Sequence, residues 1–66
     1  MLLTINGQPC TLPDGLSLED VIQRFAADPA LIVAELNGAI IAAPLRRSQA
    51  LSENDTIELI AFMGGG

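Results

Sequence analysis

Ser17-Leu18-Glu19-Asp20-Val21-Ile22-Gln23-Arg24-Phe25-Ala26 is the most regular stretch of the chain, and its reading sets the fold. Ser17 has the hydroxyl that an N-cap needs. Asp20, three residues on, can return the hydrogen bond in a capping box, weakened because aspartate reaches less far than glutamate. Glu19 and Asp20 place negative charge in the first turn, where the helix dipole favours it, and Leu16 and Val21 stand at the positions of a hydrophobic staple. Leu18, Val21, Ile22, Phe25 and Ala26 recur at the spacing of one helical face, with Glu19, Asp20, Gln23 and Arg24 on the other. The pattern predicts an amphipathic helix whose apolar face lies on a sheet. Asp28-Pro29 is expected to end it, because the residue before a proline is pushed out of the α region.

Both flanks supply strands. Upstream, Leu3 and Ile5 alternate within Met1 to Ile5, Asn6-Gly7 is a strong hairpin signal, and Gln8 to Leu12 carries Cys10 and Leu12 on one face before the Pro13-Asp14-Gly15 turn. Cys10 reads as a small core residue. Downstream, Leu31 to Leu36 predicts a strand with Ile32, Ala34 and Leu36 facing the helix. Asn37-Gly38 turns it into a short strand over Ala39 to Ala43. Pro44 to Leu51 is a loop with one turn of helix, in which Arg46-Arg47 reads as a solvated charge pair balancing a nearby acid. After the Ser52-Glu53-Asn54-Asp55 turn, the last strand runs from Thr56 to Met63, with Ile57, Leu59 and Ala61 on one face and Glu58, Ile60 and Phe62 on the other. One helix cannot cover both faces of such a sheet, so Ile60 and Phe62 are expected to form an exposed apolar patch.

The strand gives way to Gly64-Gly65-Gly66. Glycine has no Cβ, so this stretch can lie extended in a channel too narrow for any side chain and can deliver a carboxylate into another protein's active site. Residues 1–63 are therefore expected to form one domain and residues 64–66 a flexible tail. Sixty-six residues allow a single thin core, too small to enclose a large catalytic cleft. One cysteine and no histidine exclude an internal disulfide and the usual zinc ligand sets, so no metal site is expected. A net charge of -5 disfavours nucleic acid. Apolar runs far below the roughly 20 residues of a membrane span predict a soluble cytoplasmic chain, expected as a monomer. The sequence holds no lysine, so its cationic side chains are the guanidinium groups of Arg24, Arg46 and Arg47.

Taken together, the Asn6-Gly7 hairpin, the Ser17-capped helix, Leu36-Asn37-Gly38, Glu53-Asn54-Asp55-Thr56-Ile57-Glu58 and the terminal glycines make the chain resemble the ThiS family. These are ubiquitin-like sulfur carriers of the β-grasp fold. The resemblance implies an α+β domain, a mixed sheet covered by one main helix with an extended C-terminal tail. It further implies a carrier rather than an enzyme, with no bound cofactor. An adenylating, E1-like partner would use ATP to convert the Gly66 carboxylate to an acyl-adenylate, and a persulfide, such as that of a cysteine desulfurase, would displace AMP. The resulting thiocarboxylate would pass sulfur to a thiazole synthase in thiamine biosynthesis. On this reading Gly66 carries the sulfur, Gly64 and Gly65 form the tail, and Ile60, Phe62 and Met63 meet partners. Three alternatives share the fold: a molybdopterin-pathway sulfur carrier, a protein modifier joined through Gly66 to a target lysine, and a β-grasp interaction module whose glycines are inert.

Overall fold

The computed structural model describes residues 1–62. Five strands and one α-helix follow in the order β1 (Leu2–Ile5), β2 (Gln8–Thr11), α1 (Leu18–Phe25), β3 (Ile32–Leu36), β4 (Ala39–Ile41) and β5 (Thr56–Ala61), with 3₁₀ turns at Pro29–Leu31 and Ala43–Leu45. The strands form one sheet in the order β2-β1-β5-β3-β4. β1 and β5 run parallel at its centre and the remaining pairs are antiparallel. This is the mixed sheet with a single α-helix that the pattern of elements implied.

Two Asn-Gly turns build the two hairpins. Asn6 and Gly7 both hold positive φ, at 50° and 79°, as do Asn37 and Gly38, at 51° and 88°. Two consecutive left-handed residues match the right-handed twist of the strands they join, which is why this dipeptide closes tight hairpins. A Cβ at Gly7 would meet nothing within 4 Å, so the sign of φ, not lack of space, makes glycine the fitting residue there.

α1 begins as the sequence requires. The Ser17 hydroxyl accepts from the Asp20 N–H at 3.2 Å, and an Asp20 carboxylate oxygen accepts from the Ser17 N–H at 2.9 Å. The Ser17 backbone N–H first, and after it the Ser17 hydroxyl, hold the Asp20 carboxyl below its ordinary pKa. The next free donors of the first turn reach the loop that follows β4: Leu18 N–H donates to the Gln49 carbonyl at 2.9 Å and Glu19 N–H to the Arg46 carbonyl at 3.1 Å. Leu18, Val21 and Ile22 are fully buried against Leu3, Ile5, Leu12, Ala34, Leu36 and Ile57, and this cluster is the core. Leu16 and Cys10 pack half-buried at its edge, the latter as a free thiol.

Several expectations are corrected. α1 stops at Phe25, and Ala26 is already extended. Asp28-Pro29 therefore does not end the helix but opens the next turn, where Asp28 accepts from the Ala30 N–H at 3.2 Å. Phe25, assigned to the core-facing stripe, is 49% exposed, because the shortened helix leaves its last residue beyond the buried part of the sheet. β4 ends at Ile41 and β5 at Ala61, each two residues before the expected limit. Arg46, expected in a solvated pair, is buried with 7% exposure. Its guanidinium donates to the Ile32 carbonyl at the start of β3, and its Nε has no partner among the described residues.

Candidate functional site

The chain leaves the sheet at Phe62, whose N–H donates to the Leu31 carbonyl at 2.7 Å. This bond ties the exit of β5 to the 3₁₀ turn that precedes β3. Upstream, β5 is held between the two hairpin turns by their asparagines. The Asn6 side-chain carbonyl accepts from the Leu59 N–H at 2.7 Å, and that of Asn37 accepts from the Thr56 N–H at 2.9 Å. Asn37 also donates to the Asp55 carboxylate at 2.9 Å. The strand leading to the glycines is thus fixed by its neighbours along both edges and by side chains from both turns. Sequence reasoning used Asn6 and Asn37 only as turn residues and missed this second role; no spacing signal announces a side chain that reaches a strand 53 residues away.

Around the exit lies a surface cavity of about 350 Å³, lined by Phe25, Ala26, Leu31, Ile32, Leu59 and Phe62 among others. Phe62 is 62% exposed and Leu31 45%. Of the expected partner-contacting residues, Ile60 and Phe62 are both exposed, but they do not border the same surface. Phe62 lines the cavity with Leu59 and Ala61 from the helix-facing side, whereas Ile60 lies opposite Val33 on β3 and is not among the cavity's lining residues. The cause is the end of β5 at Ala61, after which strict alternation no longer applies. Met63, Gly64, Gly65 and Gly66 lie outside the described residues, as does the tail assigned to residues 64–66.

Among the described residues no group of three or more His, Cys, Asp or Glu is placed to hold a metal ion. No helix among them is long and apolar enough to cross a membrane. What the geometry offers is an anchored strand, an apolar cavity beside its exit, and a glycine sequence beyond.

Comparison with known proteins decides the family. The ThiS family pattern matches residues 3–66, nearly the whole chain and the glycines with it. The chain belongs to the ThiS family. Two structures of a thiamine biosynthesis protein from Geobacter metallireducens share its fold. The crystal structure, described as ThiS, superposes with a TM-score of 0.84 at 31% identity and full coverage of both chains. The solution structure gives 0.79 at 29% identity, covering all of this chain and 88% of that one. The ThiS β-grasp architecture is therefore that of this protein. Among curated proteins, the chain is 30% identical over its 66 residues to a thiazole synthase of Magnetococcus marinus, of whose length it spans only 20%. It is also 32% identical over 62 residues to the uncharacterized protein ycf40 of Trieres chinensis, covering 85% of that protein.

Proposed function

We propose that this ThiS-family chain is a sulfur carrier of thiamine synthesis, acting as co-substrate of partner enzymes with Gly66 as the reacting residue. The observation that carries the reading is the family match running through Gly66, on a fold whose last strand is anchored up to Phe62. A carboxylate is a poor electrophile until one oxygen becomes part of a good leaving group. The E1-like partner supplies this with ATP: the Gly66 carboxylate attacks the α-phosphate, pyrophosphate leaves, and an acyl-adenylate forms. A persulfide sulfur, from a cysteine desulfurase or a similar donor, attacks that carbonyl and expels AMP. Cleavage of the sulfur–sulfur bond by a thiol leaves the thiocarboxylate. A thiazole synthase then takes up the sulfur.

The similarity of the whole chain to part of a protein named thiazole synthase favours thiazole formation over the molybdopterin pathway as the destination. The anchored strand supports a delivery role, since it gives the glycines a fixed origin, and the exposed Phe62 and Ile60 offer apolar anchors for partners near it. The decisive experiment is mass spectrometry of the protein purified from its own cells, reading oxygen-to-sulfur exchange at Gly66. Deletion of Gly66, or addition of one residue after it, is expected to abolish AMP formation and thiocarboxylate with an unchanged circular dichroism spectrum. Normal sulfur transfer by either variant overturns the reading.

A further inference from the structure

The carrier chemistry leaves Arg46 unused, the one buried polar or charged residue among the described residues. Arg46 follows the 3₁₀ turn at Ala43–Leu45, and its carbonyl accepts from the Glu19 N–H at 3.1 Å and from the Gln49 N–H at 3.3 Å. Its backbone is thereby fixed to the first turn of α1. Its side chain reaches the sheet, where Nη2 donates to the Ile32 carbonyl. Strand geometry explains why that carbonyl lacks a partner of its own. Ile32 stands opposite Ala61, and the Phe62 N–H bonds the Leu31 carbonyl at 2.7 Å, so Ile32 and Ala61 are a non-hydrogen-bonded pair. Ile32 therefore turns its N–H and C=O away from β5. The N–H closes the 3₁₀ turn on the Pro29 carbonyl. The C=O faces the side on which β4 runs, but β4 ends at Ile41, opposite Ala34, and Arg46 supplies the missing donor.

An arginine is a costly donor in this place. At 7% exposure its guanidinium is desolvated, no carboxylate among the described residues pairs with it, and its Nε has no partner there. Leaving the Ile32 carbonyl to water would avoid all three costs, and water is an ordinary partner for the open edge of a strand. A feature held against stability points to a task elsewhere, and the neighbours of Ile32 show which. Leu31 carries the carbonyl that anchors Phe62, and Leu31, Ile32 and Phe62 all line the cavity at the exit of β5. The Arg46 bond lies one residue away from that anchor.

We propose that Arg46 is a positioning residue for the activation of Gly66: by holding Ile32 it fixes Leu31, and through the Leu31–Phe62 bond it sets where the chain leaves the sheet. The inference rests on the carrier reading above and adds a residue to it. Arg46 touches no reacting atom. It ties the exit of β5 to α1, the rigid part of the fold, and a carboxylate delivered from a fixed origin loses less freedom in reaching its reactive geometry. A charge-assisted bond is stronger than a neutral one, which suits a single contact that must hold the end of a strand.

The test compares wild type with Arg46→Met, which keeps an unbranched stem and removes the donors, and with Arg46→Lys, which keeps a charged donor at its end. Residue-resolved amide hydrogen exchange is expected to show Phe62 exchanging at least about tenfold faster in Arg46→Met, beyond any change shared with the core amides of Val21 and Ile57. With ATP and the adenylating enzyme of its own organism, the maximal rate of AMP formation should fall about tenfold, while affinity by titration calorimetry stays within about twofold. Arg46→Lys should recover both the exchange and the rate. A residue that only stabilises the fold would move Phe62 and the core amides together and leave the maximal rate alone. Phe62 exchange that merely follows the core, or a maximal rate at the wild-type level, overturns the proposal, as does an Arg46→Lys chain that folds yet stays as altered as Arg46→Met. Should Arg46→Met fail to fold, wild type decides: across a urea series the Phe62 N–H and the Arg46 guanidinium N–H are expected to exchange through one common opening, and separate openings overturn the coupling. A wild-type chain that yields no AMP with its enzyme overturns the carrier reading, and the exchange comparison still decides whether Arg46 holds the exit.

Discussion

The Asn6 side-chain carbonyl and the Leu59 N–H, 53 residues apart in sequence, meet at 2.7 Å and join the first hairpin turn to the last strand. Asn37 makes the corresponding contact from the second hairpin and adds the bond to Asp55. Asparagine thus serves twice at each turn, tolerating the left-handed backbone and bonding β5. Replacement by glycine separates the two roles, since glycine keeps the positive φ and removes the side chain. Asn6→Gly is expected to cost about 1 kcal/mol of unfolding free energy, the worth of one such bond, and Asn37→Gly more, because two bonds are lost. Urea unfolding measures both. Equal, negligible losses would show that the turns need only their backbone conformation.

The capping box of α1 gives stability a pH dependence of known sign. The Asp20 carboxyl is held below its ordinary pKa in the folded protein, first by the Ser17 backbone N–H and then by its hydroxyl. The folded state therefore favours the ionised form. The stabilisation is fully present above the unfolded pKa, about 4, and is lost as pH falls through the lower folded value. Asp20→Asn should be less stable than wild type at neutral pH, with the gap closing as the solution is acidified. A gap constant across the acidic range would remove the carboxylate from the cap. Ser17→Ala, which takes away the hydroxyl, is expected to cost about 1 kcal/mol at neutral pH.

Phe62 combines high exposure with a place at the exit of β5. Truncating an exposed side chain costs the fold little, within about 0.5 kcal/mol, whereas truncating an anchor buried at an interface costs about 1 to 3 kcal/mol of binding. Phe62→Ala should therefore leave the melting temperature nearly unchanged and weaken the complex with the adenylating enzyme. Calorimetry showing the reverse, full affinity with a lowered melting temperature, would make Phe62 a packing residue.

The fold was legible because its signals are local and agree with one another. Asn6-Gly7 and Asn37-Gly38 close hairpins by backbone chirality alone, and Ser17 with Asp20 caps a helix whose apolar spacing holds from Leu18 to Ile22. Where the reading failed, the deciding partner was distant. Arg46 looked solvated because arginine beside arginine on a polar loop usually is. Its burial is set by the Ile32 carbonyl and by the packing of its loop against the first turn of α1, neither of which its own neighbours in sequence reveal. Phe25 fitted the helical period, but the period says nothing of where the sheet beneath ends. At the candidate site, Ile60 was placed by strand alternation and lies on the open face. Phe62 was placed by the same rule one residue after the strand had stopped, and it borders the helix-side cavity.

On the proposed function the chain is itself activated, and nucleophiles then matter to it. The sequence contains no lysine, and the Met1 α-amino group pairs with the Asp14 carboxylate at 3.1 Å while donating to the Leu12 carbonyl. An acyl-adenylate at Gly66 is attacked by any neutral amine that reaches its carbonyl. A carbon–nitrogen bond then forms, AMP leaves, and the amine loses a proton. A surface carrying guanidinium groups in place of ammonium groups denies that route, because arginine stays protonated at all working pH. Lysines introduced at the exposed positions Gln8 and Gln23 should restore it. With ATP and the adenylating enzyme, the Gln8→Lys/Gln23→Lys variant is expected to accumulate covalent dimers that persist on a denaturing, reducing gel, increasingly so as pH rises towards the lysine pKa. The parent chain should remain monomeric. If the variant stays as monomeric as the parent while adenylate accumulates, the absence of lysine has no protective role.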